Sequence, residues 1–163
     1  MKRIDANEYV ADARRLAEDI RAGGWRPDLI LAIWRGGALP AIVVHEYLKA
    51  NGWPAVLRPV VCESYSPDGT GAERVRGEPR WIACSETFAY IRPGMKVLAI
   101  DDIYDSGGTV ESLRAIVRSA GADFRAATIY RNPRNPDAKS KPDWWLHDTA
   151  GEWLLFPHEL PPR

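Results

Sequence analysis

Three features of the 163-residue sequence predict an α/β protein with a mostly parallel sheet flanked by helices. Apolar segments of strand length alternate with segments of helical periodicity, and short turns link them, as in successive β-α-β units. These apolar segments are unbroken, which is typical of strands covered on both faces of a parallel sheet. The length corresponds to one domain, which we expect to span residues 1–163.

The order of the elements follows from the spacing of the apolar residues and from the turn residues between them. Asp5 is placed to cap the first helix, and Gly23 and Gly24 are placed to end it. We expect helices over 9–20, 38–50 and 110–119, strands over 29–34, 55–61, 96–100 and 124–130, and a loop over 101–108.

Two segments interrupt this alternation. Residues 64–79 contain Gly and Pro turns, charged residues and almost no large apolar side chain, which predicts a mobile loop. Residues 132–142 have a similar composition, and the apolar residues beyond them, from Trp144 to Phe156, require burial. We therefore expect a core over about 1–131 and a small C-terminal subdomain, the hood, over about 132–163.

The composition argues against several classes of protein. The 22 Lys and Arg residues are balanced by 22 Asp and Glu residues, unlike the basic surface of a nucleic-acid-binding protein. The longest apolar run, Leu29 to Trp34, is far shorter than the roughly 20 residues of a membrane-spanning helix. Asp5 and Glu8 stand where a signal peptide would be apolar. We expect a cytoplasmic protein with no nucleic-acid or membrane partner.

The most informative segment runs from Val97 to Thr109, where a strand leads into two carboxylates, a glycine-rich turn and a helix. Ligands of open α/β sheets bind at the carboxyl ends of strands, where this turn would lie. Gly107 and Gly108 allow a ligand close to the backbone, and N–H groups at a helix N-terminus bind phosphate. The alternative interpretation is a polar turn that only caps the helix, which two adjacent Asp or two adjacent Gly residues by themselves would indicate.

The side chains of this segment predict a site for a sugar phosphate. Asp101 and Asp102 would repel a phosphate, but they suit sugar hydroxyls or a hydrated Mg²⁺ beside it. Ser106 and Thr109 add hydroxyl donors for the phosphate. The sequence contains neither the G-x-x-x-x-G-K-[ST] loop nor the G-x-G-x-x-G fingerprint of other nucleotide-binding folds.

Val97 to Thr109 resembles the phosphoribosyl pyrophosphate (PRPP) motif of the type I phosphoribosyltransferases, with Tyr104 where that family usually has an aliphatic residue. Three further segments resemble the 6-oxopurine (hypoxanthine and xanthine-guanine) enzymes of the family. Ile33 to Gly37 is similar to their pyrophosphate-binding loop, Ser64-Tyr65 to a pair in their mobile lid, and 141–154 to their base-binding hood. The resemblance implies the type I phosphoribosyltransferase fold, a mostly parallel twisted sheet with a small C-terminal hood.

The resemblance implies a complete PRPP site. Asp101 and Asp102 would bind the ribose hydroxyls and Mg²⁺. Arg35 and Gly36 would bind the pyrophosphate, in a loop that can carry a non-proline cis peptide bond in the family. The residues implied for the 5′-phosphate are Asp105, Ser106, Gly107, Gly108 and Thr109.

The resemblance also implies residues that act on the base. Asp105 would be the catalytic proton acceptor near N7 of a purine. Trp153 would stack on the base, and the backbone of Leu154 would contact its edge. Glu159 stands where the family tends to place an acid for a second metal ion.

One position departs from the 6-oxopurine enzymes, which usually carry a Lys that donates to O6 of the base. Asn132 stands at that position, with Arg131 beside it, so both are candidates for base binding. Arg131, Lys139 and Lys141 are alternative donors. The sequence therefore leaves open a second interpretation, in which the base is not a standard purine.

The function that the resemblance implies is Mg²⁺-dependent transfer of a phosphoribosyl group from PRPP to guanine, xanthine or hypoxanthine, with release of pyrophosphate. Two alternatives stay open: a transferase of the same fold that acts on another nitrogenous base, and a non-catalytic regulator that binds PRPP or a nucleotide. The family also implies a homodimer or a homotetramer.

Overall fold

The computed structural model describes residues 1–65, 76–138 and 140–159, with side chains for all of these except 64, 65, 76 and 77. The elements along the described chain are β1 (Lys2–Arg3), α1 (Ala6–Ala22), β2 (Leu29–Trp34), α2 (Ala38–Ala50), β3 (Val56–Tyr65), β4 (Arg76–Ile82), α3 (Ser85–Tyr90), β5 (Lys96–Tyr104), α4 (Gly108–Ser119), β6 (Asp123–Arg131), β7 (Trp144–Asp148) and β8 (Leu154–Leu155).

Six strands form the central sheet in the order β4-β3-β2-β5-β6-β7, and only β4 runs antiparallel to its neighbour. The chain leaves β2 towards β3 and β4, and later leaves β5 towards β6 and β7. The junction of β2 and β5 is therefore the point where the strand order reverses. The α/β class with a mostly parallel sheet, predicted from the sequence, is confirmed.

Helices cover both faces of the sheet because alternate residues of each central strand point to opposite sides. Ile30 and Ala32 of β2 belong to the apolar core beneath α1 and α2. Leu29, Leu31 and Ile33 of the same strand belong to a second core, beneath α3 and α4. The unbroken apolar sequence of β2 is thus explained by burial on both faces.

The predicted end signals of the first helix are present in the structure. The Asp5 carboxylate caps α1 by accepting hydrogen bonds from the backbone N–H groups of Asn7, at 2.8 Å, and of Glu8, at 3.1 Å. At the other end, the N–H of Gly23 bonds to the carbonyl oxygen of Asp19 at 3.0 Å.

Several element boundaries differ from the sequence prediction, most of all those of β5 and of the predicted loop over 64–79. Strand β5 continues to Tyr104 rather than ending at residue 100, because β6 pairs with it up to Arg131. The predicted loop over 64–79 contains strand residues at both ends, since Tyr65 of β3 pairs with Arg76 of β4. The middle of that predicted loop, 66–75, lies outside the described residues.

The C-terminal segment contributes to both sheets. Strand β7, which we expected in the hood, pairs in parallel with β6 and so belongs to the central sheet. Strand β8 instead pairs with β1 in a two-stranded parallel sheet, Lys2 opposite Leu154 and Arg3 opposite Leu155. Among the described helices, none is long and apolar enough to cross a membrane.

Candidate active site

A cleft of about 940 Å³ opens at the carboxyl ends of β2 and β5, where the strand order reverses. Its walls are formed by the turn after β2, by the segment from Asp101 to Val110 and by residues between Thr149 and Glu159. Segments that lie far apart in the sequence therefore meet at the position where open α/β sheets bind their ligands.

The turn after β2 lies directly against the end of β5. The peptide bond between Trp34 and Arg35 is cis. A β-carbon on Gly36 would overlap the carboxylate of Asp102, and one on Gly37 would lie 2.8 Å from the carbonyl oxygen of Ile33. Both glycines are thus required by close approach, and the turn places Arg35 and Gly36 in the cleft wall.

Asp101 and Asp102 form a half-buried acidic pair that lines the cleft. The Asp101 carboxylate accepts a hydrogen bond from the N–H of Asp102 at 2.9 Å, and the Asp102 carboxylate accepts one from the N–H of Ile103 at 2.7 Å. Burial raises the pKa of Asp101 well above its ordinary value, and the charge of Asp102 raises it further. Burial also raises the pKa of Asp102, against the lowering effect of Asp101 and of His158, whose Nε2 lies 3.6 Å away.

This donor set fits a Mg²⁺ ion that keeps water and substrate oxygens as its other ligands. Two neighbouring carboxylates that are partly removed from solvent gain most from a cation or from hydroxyl donors, because burial penalises their charge. Within the described chain, no cluster of three or more acidic, His or Cys side chains is placed to hold a metal. Glu159 lines the cleft but accepts a hydrogen bond from the N–H of Phe156 at 3.1 Å, which fixes it within a turn.

The glycine-rich turn joins β5 to α4 and leads from the acidic pair into the helix. Gly107 adopts a left-handed conformation, with φ of 83°. Its carbonyl oxygen accepts a hydrogen bond from the N–H of Glu111 in the first turn of α4. Ser106, Gly108 and Thr109 line the cleft beside it. The predicted phosphate-binding residues are therefore together at the N-terminus of a 12-residue helix.

Tyr104, the residue that departs from the family motif, supports this turn from below. Its hydroxyl occupies the position that a β-carbon on Gly107 would need. The same hydroxyl lies 2.6 Å from Ser140 Oγ and donates to Glu111 at 3.3 Å, and Ser140 donates to Glu111 at 2.9 Å. The sequence did not predict this network, because residue 140 reaches Tyr104 only through the fold.

Asp105 contacts two asparagines of the turn that follows β6. The side-chain amides of Asn132 and Asn135 each donate to Oδ1 of Asp105, at 2.8 Å. Asn135 was not predicted. The repeated Asn-Pro pairs, at 132–133 and 135–136, are the sequence signal that could have identified it.

Arg131 does not line the cleft, in contrast to its predicted part in base binding. Its guanidinium forms two hydrogen bonds to Asp148, at 2.9 and 2.8 Å, and lies 4.2 Å from the ring centre of Trp145. The reason is the parallel register of β6 and β7, which puts Arg131 directly opposite Asp148. Of the alternative donors, Lys141 lies over Trp145 and Lys139 is outside the described residues.

The structure places two of the remaining predicted residues in the cleft and does not describe the side chains of the other two. Trp153 and Leu154 both line the cleft, and Trp153 is 58% exposed whereas Leu154 is buried. An exposed indole at the mouth of a cleft leaves a flat aromatic face available to a ligand. Ser64 and Tyr65, the predicted lid pair, are the last two residues of β3, and the structure does not describe their side chains.

The fold and the cleft define an α/β protein with a candidate ligand site at the carboxyl ends of its central parallel strands. Residues 2–161 match the family model of the phosphoribosyl transferase domain, and the chain belongs to the phosphoribosyltransferase family of enzymes. The resemblance seen in the sequence is thereby confirmed.

Relatives and solved structures agree with this membership. A xanthine-guanine phosphoribosyltransferase of Roseobacter denitrificans is 30% identical over 85% of this chain and 70% of its own length. An adenine phosphoribosyltransferase of Sphingopyxis alaskensis is 29% identical over 76% of this chain and 67% of its own length. The fold matches the crystal structure of a purine phosphoribosyltransferase from Pyrococcus horikoshii, with a TM-score of 0.73 at 23% identity over 99% of this chain and 95% of that one.

Proposed function

We propose that this protein transfers the phosphoribosyl group of PRPP to a 6-oxopurine base, namely guanine, xanthine or hypoxanthine, in a reaction that requires Mg²⁺. The base nitrogen forms a bond to C1 of the ribose, and the bond from C1 to pyrophosphate breaks. The products are a nucleoside 5′-monophosphate and pyrophosphate, as expected of a purine salvage enzyme.

The observation that carries this proposal is the convergence of three kinds of group on one cleft. A helix N-terminus with hydroxyl side chains suits the 5′-phosphate, the pair Asp101 and Asp102 suits the ribose hydroxyls, and the turn at Arg35 and Gly36 suits the pyrophosphate. PRPP has these three parts in this order. Its ribose would lie over the acidic pair, between the two anion-binding loops.

Catalysis by these residues would consist of positioning and charge stabilisation. As pyrophosphate leaves, C1 becomes electron-poor and the leaving oxygens gain negative charge. Arg35 and the N–H groups of its turn would stabilise that negative charge. Bound Mg²⁺ would neutralise part of the pyrophosphate charge, with Asp101 and Asp102 as its protein ligands, directly or through water.

Asp105 would act on the base. A purine that forms a bond through one ring nitrogen must lose a proton, and a carboxylate beside the ribose site is placed to accept it. Trp153, which lines the cleft, would stack on the purine. Glu159 would offer Oε1 to a second metal ion, while its Oε2 accepts the hydrogen bond from the N–H of Phe156.

Pyrophosphate release from PRPP and Mg²⁺ tests this function against a panel of guanine, xanthine, hypoxanthine, adenine, uracil and orotate. We expect turnover with an oxopurine, and we expect Asp105→Asn to lower kcat by about 10²- to 10⁴-fold. Turnover with adenine alone would support the second candidate, a transferase for another base, which the adenine-specific relative favours. Binding of PRPP without turnover on any base would instead support a regulator.

Two further expectations stay predictions. The family implies a homodimer or a homotetramer, which sedimentation analysis of the purified protein would decide. We also propose a cytoplasmic location, which fractionation of cells would test, and no nucleic-acid partner, because the charges of the chain are balanced.

A further inference from the structure

The turn after β6 presents two side-chain amides to a single oxygen atom. Nδ2 of Asn132 and Nδ2 of Asn135 each lie 2.8 Å from Oδ1 of Asp105, although the asparagines are 27 and 30 residues away from it in the sequence. A carboxylate can only accept hydrogen bonds, so the NH₂ side of both amides must face Asp105.

The turn itself fixes the orientation of these amides. Oδ1 of Asn132 accepts a hydrogen bond from the N–H of Arg134 at 3.2 Å, and Oδ1 of Asn135 accepts one from the N–H of Asp137 at 2.9 Å. Each asparagine therefore uses its oxygen for the turn and its nitrogen for Asp105. A proline follows each asparagine and restricts the backbone at that point.

We propose that Asn132 and Asn135 are positioning residues that hold the Asp105 carboxylate in place, and that Asn132 acts through Asp105 rather than by contacting the base. This inference rests on the proposed function, in which Asp105 accepts the proton of the base. The two asparagines would then affect the rate with every accepted base by the same factor, because neither contributes to the choice of base.

The structure offers variants that separate this role from a structural one. Asn135→Asp keeps the oxygen that accepts from Asp137 but replaces the donor to Asp105 by a like charge. Asn135→Ala removes both interactions. Asn132→Asp is the matching change at the other position, and Asn7→Asp adds the same charge in the exposed first turn of α1, away from the cleft.

The first measurement is steady-state kinetics with two oxopurine bases. We expect Asn135→Asp and Asn132→Asp each to lower kcat by between about 10- and 100-fold, the value of a lost hydrogen bond to a charged group. The ratio of the two bases should stay unchanged, and Asn7→Asp should match the parent. In an Asp105→Ala background, neither asparagine substitution should lower kcat further, because residues that act as a unit are not additive.

The second measurement needs no turnover. In the ¹⁵N spectrum of the protein, we expect Asp105→Ala to shift the side-chain amide signals of both asparagines, whereas Asp148→Ala shifts neither. Unchanged amide signals would overturn the proposal even if the enzyme is active. If no base is turned over, the proposed function fails, and shifted signals would still support the contact on which the positioning role depends.

Two kinetic results would also contradict the proposal. A changed ratio of the two bases in Asn132→Asp, with Asn135→Asp unaffected, would show that Asn132 contacts the base. A loss of kcat in Asn135→Asp that persists in the Asp105→Ala background would show that the turn acts independently of Asp105.

Discussion

The carboxylate of Asp102 fills the space that a side chain at Gly36 would need. A β-carbon built on Gly36 would overlap Oδ2 of Asp102 and would lie only 2.6 Å from Oδ1. The loop implied for pyrophosphate and the acid implied for ribose are therefore in direct contact. A change at one of them must displace the other.

Gly36→Ala should accordingly damage PRPP binding more than it damages the fold. The added methyl group must push the Asp102 carboxylate or the Arg35 turn out of place, so we expect the KM for PRPP to rise by at least about tenfold, or about 1.4 kcal/mol. The control is Gly52→Ala, which strains a left-handed residue with open space around it. Equal KM values for the parent and Gly36→Ala would contradict the close approach.

Asp101→Asn should stabilise the protein at neutral pH while it reduces activity. The pKa of Asp101 is raised in the folded state, so the folded state binds the proton more tightly than the unfolded state does, and stability falls as the pH rises through the range between the two pKa values. Removing the charge removes this cost, and each unit of pKa shift corresponds to about 1.4 kcal/mol. We expect a higher Tm at pH 7 without added divalent cations, by about 2–4 °C per kcal/mol, and a difference that vanishes below about pH 4.

Asp148→Asn is the control, because its expected effect on Tm at neutral pH has the opposite sign to that of Asp101→Asn. Its hydrogen bonds with Arg131 lower the pKa of Asp148, so its stabilisation is present at neutral pH and is lost as the pH falls through the lowered value. Because the pair is solvent-exposed, the expected loss of Tm at pH 7 is small. A decrease of Tm in Asp101→Asn would show that the acidic pair stabilises the fold.

Arg131→Ala should leave the transferase activity nearly unchanged. The guanidinium is engaged with Asp148 and Trp145, outside the cleft, so we expect kcat and both KM values within about threefold of the parent and a stability loss of no more than about 1 kcal/mol. Urea unfolding and steady-state kinetics measure these quantities. A large rise in the KM for the base would restore Arg131 as a base-binding residue.

Tyr104→Phe tests the support beneath the glycine-rich turn. Loss of the hydroxyl leaves Ser140 and Glu111 without one partner each, which should lower the free energy of unfolding by about 1–2 kcal/mol. We also expect a rise in the KM for PRPP with no change in the KM for the base, since the turn is implied for the 5′-phosphate. Ser140→Ala should reproduce the effect in part, and unchanged KM values in both variants would exclude a positioning role for Tyr104.

The sequence allowed prediction of those features that local patterns determine. The unbroken apolar run of β2, the cap at Asp5 and the acid-glycine segment after β5 each depend on neighbouring residues, so their type and place were predictable. The C-terminal end of β5 and the position of β7 depend on pairing between strands. No local pattern reveals how far such pairing extends.

The site shows the same division between local and distant contacts. The placement of Asp101, Asp102, Ser106 and Thr109 in one cleft was predictable because one segment contains them all. Asn135 and Ser140 reach the site from a turn whose path is set by β6, and the direction of Arg131 is set by its partner Asp148 on β7. These contacts required the register of the edge strands, which the sequence does not display.

The short pairing of β1 with β8 has a consequence for the order of folding. Lys2 donates to the carbonyl oxygen of Trp153 at 2.8 Å, and Ile4 donates to that of Leu155 at 2.9 Å, so residues about 150 positions apart close the cleft wall. Contacts of such long sequence separation form late, after the central sheet has brought the two segments near each other. Because only a few hydrogen bonds hold this pair, we expect the amides of β1 and β8 to exchange with solvent by local opening, well before those of β5. The wall implied for the base would then fold after the central sheet and open before it.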